Sequence, residues 1–484
     1  MLEDLIAERR KKLERLKEEG RDAYPAKIKR THEIKSVRES FSTFEKNSAK
    51  ITVVGRARGL RVQGALMFVD LEDGSGKIQL VVKKENVKGF ELLQSTIDIG
   101  DFLECTGTAY KTKRGEESIE AKDLKIISKS LRPLPSSWHG LEDPETRLRK
   151  RYLDLIMDPE QRTLFTKKAQ FWNTMRTYLI ENGFLEVETP VLESVPGGAE
   201  AEPFTTHHNA LDTDFYLRIS LEIALKKLVV AGFEKVFEIG RIFRNEGIDA
   251  EHLQDYTQME FYWSYEDYNG LMKFVEDMYK KTIKAVTGSL TTEWDGKKIN
   301  WGKKWKKIEY YEIFKEKVGL DLESATESKL KEKARSSGIK IEKGMGRGRL
   351  IDVLFKKFVR PHLVEPAFLI NPPVDIEPLA KRLESHKDRV ERFQVVACRT
   401  ELGKGFSELN DPIDQRERFE EQMRLRDAGD SEAQRLDEDF LEAMEYGMPP
   451  TAGFGVSERL FAILMNKPIR ETVFFPPMRP KKSE

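Results

Sequence analysis

The 484-residue sequence predicts an α+β chain: a small five-stranded β-barrel, then a larger domain in which helices and strands alternate. Three observations predict it. Between Ile51 and Ile127 lie five short β-rich or alternating runs, ITVVGRARGLRV, LMFVDLED, KIQLVVKK, DFLECTGTAYKT and ESIEAKDLKII, with Gly64, Gly74, Gly76 and Gly115 at the turns. Five such strands suffice to close a barrel. The stretch SLRPLPSSWHGLEDPETRLRKRYLDL follows, where Pro133, Pro135, Ser136, Ser137, Gly140 and Pro144 mark a boundary near 130–145. Beyond it the hydrophobic period switches repeatedly between helix and strand, without internal repeats.

In chain order, residues 1–45 open with an amphipathic helix. Leu2, Leu5, Ile6, Leu13 and Leu16 fall near one stripe, Gly20 stops it, and Arg9, Arg10, Lys11, Lys12 and Arg15 make the other face basic. Composition admits a solvated docking helix and an RNA-facing one equally. Residues 46–130 form the barrel, and oligonucleotide-binding (OB) barrels are one such fold. There Phe68, flanked by Arg61 and Gln79, suits base stacking, and equally suits the barrel core. Residues 131–150 are a linker and 151–484 the second domain. Its parts are a long helical pattern over about 159–182, the strand-like FLEVETPVL, helical LEIALKKLVVAGF, and strand-like KVFEIGRIFRN and DYTQMEFYWSY. TTEWDGKKINW reads as a hairpin turning at Asp295-Gly296. About 290–350 reads as a peripheral insertion. Its GMGRGRL lacks the preceding strand and the Lys-Ser/Thr of a phosphate loop, and is expected to be a flexible helix entry.

Composition excludes several classes. With 39% hydrophobic and 34% charged residues, the chain is neither disordered nor collagen-like. No apolar run approaches the ~20 residues of a membrane span. MLEDLIAERRKKLERLKEEG carries charge where a signal peptide is apolar, which implies a cytoplasmic protein. Cys105 and Cys398 alone exclude a disulfide scaffold and a multi-cysteine metal site. The 83 basic and 83 acidic residues cancel, but residues 1–130 carry 27 against 22. That mildly basic first part fits a polyanion partner.

Three segments carry chemistry. In FEIGRIFRNEGIDAEHLQDYTQMEFYWSY, two strands joined by a loop are expected to hold Arg244 and Glu246 on one strand and Glu260 and Tyr262 on the next. An arginine fork suits phosphate or carboxylate, and buried glutamates need a cation such as a substrate amine. TELGKGFSELNDP sets Glu401 and Glu408 near Gly403 and Gly405, a close-approach pattern. In GFGVSERL, Arg459 follows a glycine-rich strand and opens a helix, a geometry suited to an anion.

These segments, with RYLDLI, PGGAEAEPFTTHHNALD and PPTAGFG…ERL…RETVFFPPMRP, resemble class II lysyl-tRNA synthetases over essentially the whole chain. The resemblance implies an antiparallel sheet flanked by helices, an anticodon-binding barrel, a homodimer, and a two-step reaction. Lysine and ATP give lysyl-adenylate, and lysine then passes to tRNA-Lys. It implies that Arg244 clamps the α-phosphate and lysine carboxylate, Glu246 reads adenine, Tyr256 replaces the usual adenine-stacking Phe, and His252 and Arg459 hold the terminal phosphates. Gly198 and Glu222 would bind the α-amine with Glu260 close by. Tyr262 and Glu408 would bind the ε-ammonium, with Lys404 and Phe406 also in the lysine site. Arg244, Arg459 and Glu401 form the catalytic set. Arg61, Phe68, Gln79 and Glu116 match anticodon-reading positions.

The sequence departs from the family pattern at four points. Gln394 stands at the first of two magnesium-binding Glu positions and Glu401 at the second, and an amide oxygen is the weaker ligand. Glu251 stands where an Arg precedes the His, and Lys404 where an Asn contacts the amino acid. These two opposite charges are expected to offset one another around the phosphates. The glycine-rich strand before Arg459 is one residue short, with Val456 and Ser457 near the missing glycine. Two other readings accompany the ligase: a non-catalytic tRNA binder, motivated by Gln394, and an enzyme that lysylates a protein, which would not need the barrel.

Overall fold

The computed structural model describes residues 2–135, 141, 143–247, 252–342, 344–430 and 433–480. The chain divides into two compact units, 1–142 and 143–484. In the first, β1 (Ile51–Gln63), β2 (Leu66–Glu72), β3 (Lys77–Lys83), β4 (Phe102–Lys111) and β5 (Glu117–Ser128) close a barrel in the order β1-β2-β3-β5-β4. The β3–β5 pairing is parallel and the rest are antiparallel. Side-chain alternation fills the interior: Met67, Val69 and Leu71 of β2 meet Val53, Leu80 and Leu103 there. Phe68 has the opposite parity and lies half-buried on the outer face, which removes it from the core.

α1 (Leu2–Glu18) docks through Ile6, Leu13 and Leu16. Two expectations for this helix are corrected. Leu2 and Leu5 are exposed. Arg9 leaves the basic face: it is buried, and its guanidinium donates to the carbonyls of Ile99 (3.0 Å), Ser130 (3.0 Å) and Arg132 (3.2 Å). Those carbonyls supply the partners that a buried guanidinium requires.

In the second unit, Asp158 caps α2 (Pro159–Glu181), with Pro159 at its first position. The main sheet contains β6 (Leu185–Glu186), β7 (Lys235–Phe243), β8 (Asp255–Ser264), β9 (Lys306–Glu309), β10 (Ala367–Ile370), β11 (Arg392–Ala397), β12 (Thr400–Ser407) and β13 (Thr451–Ser457). Their order is β9-β10-β11-β12-β13-β8-β7-β6. The centre is antiparallel, but β9 and β6 join the edges in parallel. The sheet is thus antiparallel through its centre, as expected, and parallel only at its edges, where each edge strand is reached by a long connection rather than a hairpin.

One face of the sheet is apolar. Phe237, Met259, Phe261, Phe393, Val395, Phe454 and Val456 pack against α2 and α4 (Tyr268–Thr287). Met175, Tyr178 and Leu179 of α2, with Trp172 beside them, belong to this core. The opposite face is bordered by α3 (Glu222–Val230) and α5 (Arg347–Phe358), and α6 (Glu438–Glu445) packs on α3, while α7 (Arg459–Leu464) turns Leu460, Phe461 and Leu464 into the apolar core and only Arg459 toward the opposite face. Arg151 of RYLDLI is buried and paired with Asp154 at 2.8 Å, and Arg147 takes the other carboxylate oxygen at 2.8 Å.

The hairpin turns at Asp295 (φ 48°) and Gly296 (φ 70°), as its sequence predicts. The 290–350 stretch differs from the expected peripheral insertion. β9 joins the main sheet, and Tyr310, Phe314, Leu350 and Leu354 share a core with Leu369 and Val396 of that sheet. The entry to α5 is tied down, by an Arg347–Asp375 ion pair and by Arg349 to Asp430 at 3.3 Å.

Candidate active site

Strand parity builds the site. Residues opposite in phase to the apolar core form two cross-strand rows: Gln394, Lys404, Gly455, Glu260 and Glu238 in one, and Phe406, Gly453 and Tyr262 in the other. The glycines of β13 make a slot between charged neighbours. A Cβ on Gly453 would strike Glu408 Oε1 and come within 2.5 Å of the Tyr262 ring. Above this floor opens a cavity of about 880 Å³, near the upper end of the ~300–1,000 Å³ usual for ligand sites. It is lined by Gly198, Glu222, Arg244, Glu246, His252, Tyr256, Glu260, Tyr262, Gln394, Glu401, Lys404, Phe406, Glu408 and Arg459. The structure thus brings every residue named above for ATP, lysine or metal around one space. Glu251 lies outside the described residues.

One end is anionic. Glu260 accepts from Ser220 Oγ (2.7 Å), the Leu221 amide (3.1 Å), Gln258 Nε2 (2.5 Å) and Tyr262 Oη (3.0 Å). Four donors suit an ionised carboxylate. Because Tyr262 gives its proton to Glu260, its oxygen is left to accept from a cation. Burial and the surrounding glutamates hold that hydroxyl far above its usual range, so it stays a donor. Glu222 opens α3 against Gly198, whose φ of +82° and lack of a side chain permit the contact; a Cβ there would lie 2.9 Å from Glu222 Cβ. Burial pushes the Glu222 carboxyl up to about 7, against the pull of Lys226. Glu408 is fully buried and also pushed up by burial, again opposed by Lys226. The Lys226 ammonium sits 2.5 Å from both Glu222 and Glu408.

The other end is cationic. β7 stops at Phe243, so Arg244 and Glu246 occupy the loop just past the strand rather than the strand itself. The Arg244 amide donates to the Gln254 carbonyl (2.7 Å) and its Nε to the Ile219 carbonyl (3.3 Å), which aims the guanidinium across the cavity, 5.8 Å from the Tyr256 ring centre. Arg459 opens α7 and reaches the Glu401 carbonyl at 3.5 Å. α7 has only six residues, so the guanidinium rather than a helix dipole supplies the charge.

Glu401 Oε2 accepts from Gln394 Nε2 at 2.5 Å. Among the described residues no cluster of three or more His, Cys, Asp or Glu could hold a metal. One carboxylate beside an amide oxygen suits a magnesium ion held mainly by phosphates, not a protein cage.

Of the expected balance between Lys404 and Glu251, only the Lys404 side lies within the described residues. The Lys404 ammonium donates to Glu377 at 3.0 Å, and Arg392 faces the same oxygen at 3.3 Å. Burial would raise the Glu377 carboxyl, but Lys404 and Arg392 bring it below its usual range. Sequence reasoning missed Glu377, Lys226, Ser220 and Gln258. The one local signal was the four-residue spacing of Glu222 and Lys226, which also marks ordinary surface pairs.

In the barrel, Arg61 stands across the ladder from Phe68, 6.0 Å from its ring centre. Gln79, opposite Asp70, accepts from Ser118 Oγ at 3.3 Å, and Glu116 is exposed two residues before Ser118. Arg61, Phe68 and Gln79 occupy the outer face of β1-β2-β3.

A mixed sheet carrying this glycine-floored cavity, with arginines at one end, is joined by a direct family match. Residues 143–479 match the tRNA synthetases class II (D, K and N), and residues 51–127 match the OB-fold nucleic acid binding domain. The chain is thus a class II tRNA synthetase with an OB-fold barrel. Full-length relatives narrow the class. It is 44% identical over 487 residues to the lysine–tRNA ligase of Roseiflexus castenholzii, covering 99% of this chain and 100% of that protein. It is 44% identical over 484 residues to that of Moorella thermoacetica (99% and 98%), and 42% over 492 residues to that of Halalkalibacterium halodurans (100% and 98%). The chain belongs to the lysine–tRNA ligase family.

Proposed function

We infer that the chain activates L-lysine with ATP to lysyl-adenylate and transfers the lysyl group to the 3′ end of tRNA-Lys. The observation that carries this is the carboxylate end of the cavity, Glu222, Glu260 and Glu408 with Tyr262, facing Arg244 and Arg459. A cationic side chain needs the first and a nucleotide triphosphate the second.

In the first step a lysine carboxylate oxygen attacks the α-phosphorus, the α–β bridging bond breaks, and pyrophosphate leaves with the electron pair. No side-chain nucleophile is required, so catalysis is positioning plus charge stabilisation. Arg244 spans the carboxylate and the α-phosphate. Arg459 and His252 hold the outgoing phosphates, Glu246 reads the adenine edge and Tyr256 stacks on it. The ε-ammonium lies between Glu408 and Tyr262, along Phe406. The α-amine meets Gly198 and Glu222 near Glu260, with Lys404 toward the carboxylate. Glu401 and the Gln394 amide oxygen would hold, from the protein side, a Mg²⁺ whose chemistry there would be to neutralise phosphate charge. In the second step a terminal ribose hydroxyl attacks the lysyl carbonyl and AMP leaves.

On the barrel, Phe68 stacks an anticodon base while Arg61, Gln79 and Glu116 contact its neighbours. The protein acts as a homodimer in the cytoplasm. Exposed Ile180, Leu185, Val191 and Leu192 beside the edge strand β6 suit a second copy. No helix among the described residues is long and apolar enough to cross a membrane. The barrel argues against a protein-lysylating enzyme, and the grouping of Arg244, Arg459 and Glu401 argues against a non-catalytic binder. ATP–pyrophosphate exchange tests the reading: it should depend on lysine and not respond to arginine, ornithine or aspartate. Folded protein that binds tRNA but shows no exchange with any of them would overturn it.

A further inference from the structure

Lys226 has no place in the reaction described above, yet it is one of the most deeply buried charges in the chain. Its side chain is 0% exposed, as is that of Glu408. One ammonium touches Glu222 Oε1 and Glu408 Oε2 at 2.5 Å each, so those oxygens lie no more than twice that distance apart. The ammonium also sits 5.4 Å from the Phe406 ring centre and 5.9 Å from that of Phe440 on α6. It stands behind the cavity wall, while both carboxylates line the cavity. Glu408 Oε1 is buried without a hydrogen-bond partner and lies over Gly453, on the slot side.

Charges facing this spot come from every packed element. Glu222 is on α3, Glu260 and Tyr262 on β8, Lys404 on β12, Glu408 just after β12, and Glu377 on the loop before β11. Glu377 is already offset by Lys404 and Arg392. That leaves three carboxylates, Glu222, Glu260 and Glu408, against one ammonium: when all three are ionised, two negative charges are unmet.

We propose that Lys226 is a positioning residue for substrate selection: a resident ammonium that neutralises one pocket carboxylate from behind, so that the site calls for two further positive groups, the α- and ε-ammonium of lysine. This rests on the reading that Glu222 and Glu408 receive those groups. With Lys226 gone, a proton must take its place, and lysine has to compete with it. Holding two anions side by side without a counter-ion is costly in a buried site.

The test is Lys226→Met, which keeps the apolar stem, assayed by lysine-dependent pyrophosphate exchange from pH 7 to 9. The lysine KM should rise about 30-fold or more at pH 7.5, the scale of a lost charged contact, with kcat within about threefold. It should then fall back toward the wild-type value by pH 9, as the carboxylates ionise. In K226M/E222Q, where the count of two is restored, that pH dependence should vanish even though affinity stays low. A K226M lysine KM unchanged at pH 7.5, or KM and kcat damaged alike at every pH, overturns the proposal.

Because K226M could fail to fold, wild-type protein gives a second measurement. Lysine binding is followed by calorimetry at pH 8 in two buffers of different ionisation enthalpy. Release of under about 0.3 proton per lysine is expected, because the two Lys226 contacts oppose the protonation that burial favours at Glu222 and Glu408. Release near one proton would show that a proton, not Lys226, balances the pocket. Wild-type protein inactive with lysine would instead sink the underlying reading, so the two failures are distinguishable.

Discussion

Replacing Gly453 by alanine should cost the enzyme its hold on lysine and leave its hold on ATP intact. β13 is hydrogen-bonded on both sides, with Gly453 between Tyr262 of β8 and Phe406 of β12, so the backbone cannot retreat. The new methyl would strike Glu408 Oε1 and approach two carbons of the Tyr262 ring at 2.5 and 2.8 Å. Glu408 has to swing away or the ring has to tilt. Overpacking of this kind costs about 1–3 kcal/mol of stability. A charged hydrogen bond to the ε-ammonium is worth about 1.5–3 kcal/mol, which is about 10- to 150-fold in the lysine constant at ~1.4 kcal/mol per decade. The assay is pyrophosphate exchange with lysine and ATP varied separately. The lysine KM should rise by that factor, and the ATP KM should stay within about threefold, because Arg244, Tyr256 and Arg459 are untouched. Gly455→Ala is the packing control. Its methyl would meet Glu260 Cγ at 3.4 Å, an ordinary contact, so its melting temperature should match wild type. A folded Gly453→Ala protein with an unchanged lysine KM would refute the assignment of the Glu408–Tyr262 end to the ε-ammonium.

Arg244→Lys should lower kcat/KM by about 10²–10³, because a point charge cannot span the carboxylate and the α-phosphate together; an effect under fivefold would remove Arg244 from that role. With the Glu222 carboxyl pushed up to about 7 by burial, lysine affinity should weaken as pH falls from 8 to 6, since protonation removes the charge that accepts the α-amine. Calorimetry at several pH values checks this, and Glu222→Gln should abolish the slope. Phe68→Ala should raise the KM for tRNA by about 5- to 150-fold, the worth of one ~1–3 kcal/mol base stack, read in a charging assay against wild type. Asp154→Ala should destabilise the catalytic unit by about 3–5 kcal/mol, because it leaves the buried Arg151 without its carboxylate. Denaturant unfolding measures it, and a loss under 1 kcal/mol would contradict the pairing.

The barrel was legible because each strand alternates, yet strand assignment alone left Phe68 ambiguous. A one-residue change of phase exchanges Met67 and Val69 for Phe68, and only the observed pairing with Arg61 settles which set points inward. The site was legible where its residues cluster in sequence, as in FRNEG and FSELNDP. It was illegible where the fold joins distant segments. Lys226 sits in LKKLVV beside Lys227, and nothing local says that one is sealed while the other reaches Asp439 at the surface. Its second partner, Glu408, is far along the chain. Glu377 likewise gave no sign that it would receive Lys404. The 290–350 stretch misled for the converse reason: its lysines suggest solvent, but Ile308 and Leu350 sit on faces that only tertiary packing covers.

The Arg9 staple has a consequence for how the chain is made. On a ribosome α1 emerges before the barrel, and the carbonyls that receive Arg9 belong to Ile99, Ser130 and Arg132, the last as much as 123 residues later. At about 5–20 residues per second the helix waits roughly 6–25 s for its dock. During that interval Ile6, Leu13 and Leu16 have no barrel to cover. Completion of β5 is therefore the event that licenses α1 to settle. A nascent chain stalled short of Ser130 should leave α1 open to protease, and one carried past Arg132 and clear of the exit tunnel should protect it.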